Sequence, residues 1–218
     1  MRTLPILLTL TLIAGALPVV GQIPEGFTAV FNGKDLTGWH ISQTNHHGTT
    51  PIWKVENGVL IGMQNPPGKG GILLTDKRYK NFEVYVELNP TFGCDGGLFL
   101  RSTEAGVAYQ VMLDYLEKGN VGGIYGEGMA DKMKGAPARD WAKYWKKGDW
   151  NSIRARIEGD VPRIQVWMNG HQITDWKAQT NTLPDGATDG MIAVQVHLGN
   201  RWVEGGMHRF RVIAVKEL

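Results

Sequence analysis

The chain has 218 residues, with 23 basic and 21 acidic side chains and a formal net charge of +2. That near balance offers no electrostatic footprint for nucleic acid or for an anionic membrane surface, and the length suits one domain with a full core. A single cysteine, Cys94, excludes an internal disulfide.

The first stretch, MRTLPILLTLTLIAGALPVVGQ, has one Arg, an apolar run from Leu4 to Val20 and small residues at its end. It reads as an export signal rather than a membrane span. The run is short and broken by Pro5 and Pro18, and Val19 and Gly21 suit the positions before a signal peptidase cut. We expect cleavage after Gly21, a single domain over residues 22–218, and no membrane contact once the signal is gone. Loss of Arg2 leaves 22 basic and 21 acidic residues, a net charge of +1. An exported chain without disulfides suits a bacterial periplasm, or the extracellular space.

Beyond the leader, short apolar runs alternate with period two and are separated by turn signals. The strands expected are IWKV (52–55), GVLIGM (58–63), GILLT (71–75), NFEVYVELNP (81–90), GGLFLRST (96–103), VAYQVMLDY (107–115), NSIRARIEG (151–159), RIQVWMNG (163–170), MIAVQVHLG (191–199) and HRFRVIAVKEL (208–218). Asn-Gly in VENGVL and WMNGHQ marks tight hairpins. The set predicts an all-β sandwich. The stretch from Glu117 to Trp150 departs from the pattern. Its segment ARDWAKYWKK predicts a short helix with Trp141 and Trp145 on one side, and long insertions in compact β domains often carry function.

Side chains alternate across a strand, so each strand shows one face to the core and one away from it. In NFEVYVEL the second face is Glu83, Tyr85 and Glu87; in NSIRARIE it is Arg154, Arg156 and Glu158. These mixed charges read as solvated. Three strands differ: GGLFLRS offers Phe99 and Arg101, YQVMLDY offers Gln110, Met112 and Asp114, and MIAVQVHLG offers Ala193, Gln195 and His197. Directional hydrogen-bonding groups among apolar contacts, without Lys or Glu, suit a ligand-binding face. Taken singly, each of these residues reads more readily as part of an ordinary polar sheet face; the set together points to a ligand.

The ordered segments FTAVFNGKDLTGWH (27–40), WKVENGVLIG (53–62), YKNFEVYVELNP (79–90), GCDGGLFLRS (93–102), YQVMLD (109–114), GGIYGEG (122–128), WNSIRARIEG (150–159), VWMNGHQITDW (166–176) and GMIAVQVH (190–197) resemble the 3-keto-disaccharide hydrolase domain family, long catalogued as a domain of unknown function. The resemblance runs from about Phe27 to Leu218. It implies a jelly-roll β-sandwich of the concanavalin A-like lectin/glucanase type, with sugar bound on the concave face, and action on glycosides already oxidised to a ketone at carbon 3. The chain departs from the family's pattern at Asp95-Gly96, where Asn-Ser is frequent, and at Phe210-Arg211-Val212-Ile213, where F-R-N-I is frequent. Members of such a family differ in substrate, and the same fold serves as a non-catalytic carbohydrate-binding domain, so fold carries over better than reaction.

A ketone at carbon 3 acidifies the proton on carbon 2. A general base removes it, the enolate expels the group on carbon 1, and water adds back to give net hydrolysis. This chemistry needs no pair of strand carboxylates, and the chain has no E-x-D-x-x-E strand of a conventional glucanase. His197 is the first candidate for the base, since histidine ordinarily titrates near working pH. Asp114 is a candidate base, an orienter of His197, or a metal ligand. Arg101 can stabilise the enolate or grip a hydroxyl, and can equally pair with Asp114. Gln110 and Gln195 are candidate hydroxyl binders. Trp39 is a candidate stacking platform or a buried aromatic. Glu127, in a glycine-rich turn, is a candidate second acid or an exposed loop carboxylate.

A divalent metal ion is the one candidate cofactor. His40, His46 and His47 lie in the loop HISQTNHHGTT and with His197 can supply ligands, although adjacent histidines are not by themselves a ligand spacing. His171 and His208 read as structural, and Cys94, with no His or Lys beside it, as an inert thiol. Lys69 lies in GKGG, which lacks the Ser or Thr of a phosphate-binding loop.

Overall fold

The computed structural model describes residues 21–129, 133 and 135–218. The expected leader lies outside the described residues except for Gly21.

Two antiparallel sheets form a sandwich. The larger sheet contains β3 (Ile52–Glu56), β4 (Val59–Met63), β6 (Phe82–Leu88), β10 (Asn151–Glu158), β11 (Arg163–Met168), β12 (His171–Lys177) and β14 (His208–Glu217), ordered β12-β11-β10-β6-β14-β4-β3, with the two-residue β1 (Thr28–Ala29) on β14. The smaller sheet contains β2 (Trp39–Ile41), β5 (Gly71–Tyr79), β7 (Gly97–Ser102), β8 (Ala108–Leu113), β9 (Val121–Glu127) and β13 (Gly190–Val196), ordered β2-β5-β13-β7-β8-β9. One turn of helix, α1 (Trp141–Tyr144), is described in the long insertion. Trp145, just past it, packs its ring 4.9 Å from Tyr115. No helix among the described residues is long and apolar enough to cross a membrane.

Alternation assigns the faces. Leu98 and Leu100 of β7, Tyr109, Val111 and Leu113 of β8, and Ile192, Val194 and Val196 of β13 meet Val84, Val86, Leu88, Ile153, Ala155 and Ile157 of the larger sheet in one core. Burying each Val, Leu or Ile among them contributes about 1.5–3 kcal/mol. The opposite face of the smaller sheet is divided. Ile72, Leu74, Phe99, Ala108, Met191 and Ala193 form a second buried apolar cluster there. The loop after β2 crosses this face, with the Ser42 N–H bonded to the Ile72 carbonyl and the Asn45 amide to the Ala105 carbonyl. The remaining half of the face, around Gln110 and Gln195, stays open.

The bulge in β7 corrects the sequence reading. The register runs Ala193↔Phe99 and then Met191↔Ser102, so Leu100 and Arg101 together stand opposite Ile192. Arg101 takes φ 55, a left-handed conformation unusual for a side chain other than glycine, and a residue inserted this way re-aims its side chain.

Four strands were not read from the pattern: the short β1 and β2, and β9 and β12. β9 is glycine-rich, VGGIYGE, so it lacks the alternation that marks a strand, and β12 begins directly after the Asn169-Gly170 turn. Glu127 accordingly ends a strand rather than sitting in a turn, and is only 7% exposed.

Candidate active site

The open half of the smaller sheet holds a pocket of about 320 Å³. Its floor comes from β8 and β9: Gln110 and Met112, with Tyr125 and Glu127 beside them. Gln110 is paired with Tyr125, and Ala108 with Glu127, so these side chains share the outer face. One wall is the loop Ser42–Gly48 with His46 and His47; the other is Asp95, His197 and Arg201.

The histidine loop is shaped by its own short polar residues. Ser42 Oγ accepts from the Thr44 and Asn45 N–H groups and donates to the Glu104 carbonyl at 2.7 Å. Asn45 Oδ1 accepts the His47 N–H. Such local bonds are why Ser and Asn build turns. The loop closes at Gly48, whose φ is +129 and where a Cβ would lie 2.4 Å from the Gly70 carbonyl oxygen. Only glycine fits there.

The His46 and His47 rings lie with centroids 4.1 Å apart, tilted by 40°, and His197 meets His47 edge-on at 4.6 Å. Both His46 Nε2 and His47 Nε2 reach Glu127 Oε1, at 3.3 and 3.2 Å. Burial, with His47 adding to it, lowers the pKa of His46 from its usual value. Behind them runs a chain of amides: Gln110 Nε2 donates to the Gly96 carbonyl at 3.2 Å and to Gln195 Oε1 at 3.3 Å, and Gln195 Nε2 lies 2.8 Å from His47 Nε2. The glycine at 97 makes this possible, since a Cβ there would lie 2.4 Å from the Gln110 amide nitrogen.

On the far wall, Arg201 donates its Nε–H to Asp95 at 2.6 Å and an Nη–H to Asp114 at 2.7 Å. His197 Nδ1 lies 2.7 Å from the Leu198 carbonyl, and its Nε2 is 3.6 Å from Asp95 Oδ2. Burial and then the neighbouring Asp95 charge raise the Asp114 pKa above its usual value, against the pull of Arg201.

The pocket therefore gathers His46, His47, Gln110, Glu127 and His197 from the sequence-derived set, with Gln195 buried behind His47 and Asp114 behind Arg201. Two residues fall elsewhere. Arg101 is fully buried beneath the bulge, donating to the carbonyls of Lys80 and Gly159 and to Asn81 Oδ1 at 2.7, 2.9 and 3.0 Å, so it neither faces the pocket nor pairs with Asp114. Trp39 is 6% exposed in the core, its indole N–H bonded to the Val30 carbonyl, and offers no platform to a sugar. His40 also stands apart from the other histidines, bridging Asp76 and Glu104 at 2.6 and 2.9 Å. Cys94 is buried, which pushes its thiol up to about 11 and fits an inert group.

The sequence reading missed Asp95, Tyr125 and Arg201 as site residues. For Asp95 the signal was present: it shares parity with Gly97 and Phe99 on the outer face. Arg201 had none, because it follows β13 in an irregular loop.

The family model described as the 3-keto-alpha-glucoside-1,2-lyase-like domain matches residues 26–216. No curated protein matches the chain. Among solved structures, the fold is similar to a "Putative glycosyl hydrolase" from Parabacteroides distasonis ATCC 8503, at 21% identity and a TM-score of 0.63, covering 88% of this chain and 99% of that one. It is also similar to SCLam, a non-specific endo-beta-1,3(4)-glucanase from family GH16, at 14% identity and a TM-score of 0.58 over 89% and 92% of the two chains. A third is the carbohydrate binding module CBM66 from Bacillus subtilis, at 14% identity and a TM-score of 0.52 over 84% and 97%. At these identities the likeness is one of fold, the jelly-roll sandwich of lectins and glucanases.

Proposed function

The chain belongs to the 3-keto-alpha-glucoside-1,2-lyase-like domain family, and from that premise we propose that it cleaves glycosides bearing a ketone at carbon 3, by elimination across carbons 1 and 2. The observation that carries this reading is the setting of His197. Its Nδ1–H is committed to the Leu198 carbonyl, which leaves the neutral ring's electron pair on Nε2. That nitrogen belongs to a side chain lining the pocket, and Asp95 stands 3.6 Å away to stabilise the imidazolium once a proton is taken.

In the proposed reaction His197 Nε2 removes the proton from carbon 2, and the C–H electron pair moves into an enolate at carbons 2 and 3. The enolate collapses back to the ketone, forms the carbon 1–carbon 2 double bond and breaks the bond from carbon 1 to the aglycone oxygen. The aglycone leaves as an alcohol after taking a proton. Addition of water to the resulting enone converts elimination to net hydrolysis. Arg201 commits one N–H each to Asp95 and Asp114, so its remaining donors can hold the ring or the enolate oxygen. Tyr125, 47% exposed on the pocket floor, offers an apolar face to the sugar. The apolar leader supports placing this reaction outside the cytoplasm.

The test is release of a chromogenic aglycone from a 3-keto-glucoside. Wild-type protein should release it, and His197→Ala should lose about 10²-fold or more in rate, the usual contribution of a positioned base. Persistence within a few-fold in His197→Ala rules out His197 as the base. Sugar binding without release by the wild type would make the protein a carbohydrate-binding domain of the same fold.

A further inference from the structure

We propose that His46, His47 and Glu127 form a binding site for a divalent first-row transition-metal ion. The Gly96 carbonyl can only accept, so the amide nitrogen of Gln110 faces it. The other N–H of that amide then points at Gln195, which must answer with its oxygen. This turns the Gln195 nitrogen toward His47 Nε2 at 2.8 Å, and an N–H donor there requires an acceptor. His47 is thereby held as the tautomer with its proton on Nδ1 and its electron pair on Nε2.

That electron pair faces Glu127 Oε1 at 3.2 Å, and His46 Nε2 lies 3.3 Å from the same oxygen. Two acceptors at this distance repel unless a proton or a metal ion stands between them, and one oxygen shared by two imidazole nitrogens is an arrangement that a metal ion suits. His47 is 4% exposed, and while its Nε2 meets Gln195 and Glu127, its Nδ1 has no hydrogen-bond partner, so the ring is buried with one polar atom unsatisfied.

The spacing suits an ion. Ligands about 2.0–2.1 Å from a metal, at angles between octahedral and tetrahedral, lie about 2.9–3.4 Å apart. The three ligand atoms fall within 4.8 Å of one another, with the two measured separations inside that narrower range. Two imidazoles and one carboxylate on one side of an ion leave positions open toward the pocket. This donor set favours zinc, cobalt, nickel, iron or manganese over calcium or magnesium, which take oxygen ligands. An ion takes over the electron pair that Gln195 now shares, and releases the Gln195 amide toward whatever fills the open positions. That an ion there would polarise a substrate ketone rests on the function proposed above; the site itself does not.

Titration calorimetry of the chelator-treated protein with Co²⁺, Zn²⁺, Ni²⁺ and Mn²⁺, alongside the visible absorption of the cobalt form, tests this without any substrate. One ion per chain is expected. His47→Ala and Glu127→Gln should each weaken binding by about thirtyfold or more. His171→Ala, a surface histidine stacked on Tyr144, should bind as the wild type does. Thermal melts of the metal-free variants separate lost ligands from lost folding. Absence of binding by the wild type to all four ions, or unchanged binding by folded Glu127→Gln, overturns the proposal. Metal binding with no aglycone release would leave the site standing and sink only the reaction.

Discussion

Tyr125 shows what a single position decides. It sits on β9 opposite Gln110, half out of the protein, in a pocket lined, apart from Met112, by hydrogen-bonding and charged groups. An exposed aromatic ring there adds packing to a bound sugar, and packing of that kind acts on ground state and transition state alike. Tyr125→Ala should therefore raise KM about tenfold, the equivalent of about 1–1.5 kcal/mol of lost aromatic contact, while kcat stays within about twofold. Steady-state kinetics on a 3-keto-glucoside checks it; a fall in kcat instead would put the phenol hydroxyl in the chemistry. Tyr125 escaped the sequence reading because its strand is half glycine and shows no alternation. Gln110 and Gln195 were legible for the opposite reason: each interrupts an apolar strand at the parity that faces away from the core, and His197 continues that parity one residue past β13.

At the scale of the element, alternation located ten strands and failed where one strand changed register. Parity placed Arg101 on the same face as Phe99, but the bulge at Leu100 and Arg101 turned the guanidinium under the sheet. There it joins segments far apart in sequence, the carbonyls of Lys80 and Gly159 and the side chain of Asn81, at zero exposure. Arg101→Met keeps much of the stem and removes the donor to the part-buried carbonyls of Lys80 and Gly159, while Asn81 Oδ1 keeps the Gly159 N–H. It should cost about 2–4 kcal/mol, since each buried polar group left unpaired costs about 1–3 kcal/mol. Urea unfolding reads that loss. Turnover of a 3-keto-glucoside per folded molecule should stay within a few-fold, because the bulge lies away from the pocket. A folded Arg101→Met protein with turnover abolished would return Arg101 to the site. Trp39 carries the same lesson from the other side: of its two readings, stacking platform or buried aromatic, the second holds, with its indole N–H bonded to the Val30 carbonyl. Sequence reveals which residue types a strand offers, whereas bulges and long-range bonds decide where they point.

At the scale of the whole molecule, the two sheets are tied together under the pocket by His208. It opens β14 of the larger sheet, is fully buried, and its Nε2–H donates to the Asp95 carbonyl beside the smaller sheet. Its Nδ1 has no partner, so a second proton would go onto a buried nitrogen with nothing to receive it. Burial accordingly lowers its pKa to about 4 from 6.5. Between those values the unfolded chain binds a proton that the folded chain does not, so stability rises with pH across the window and is lost as pH falls from 6.5 toward 4. The size is about 3 kcal/mol, from about 1.4 kcal/mol per pKa unit. His40 works with the opposite sign. Burial opposes its charge, but the bonds to Glu104 and Asp76 win and raise its pKa, so its contribution is present at low pH and lost as pH rises through the folded value. That group is partly exposed, and such surface pairs contribute little. His208 should therefore govern the acid limb. Urea unfolding of the wild type at pH 4.5 and pH 7 should show the loss, and His208→Gln, which keeps a donor for the Asp95 carbonyl without the titrating ring, should flatten it. An equal loss in the two proteins would assign acid unfolding to the carboxylates instead. The expected outcome couples stability to the site, because the bond that His208 makes holds the same residue whose carboxylate faces His197 and Arg201.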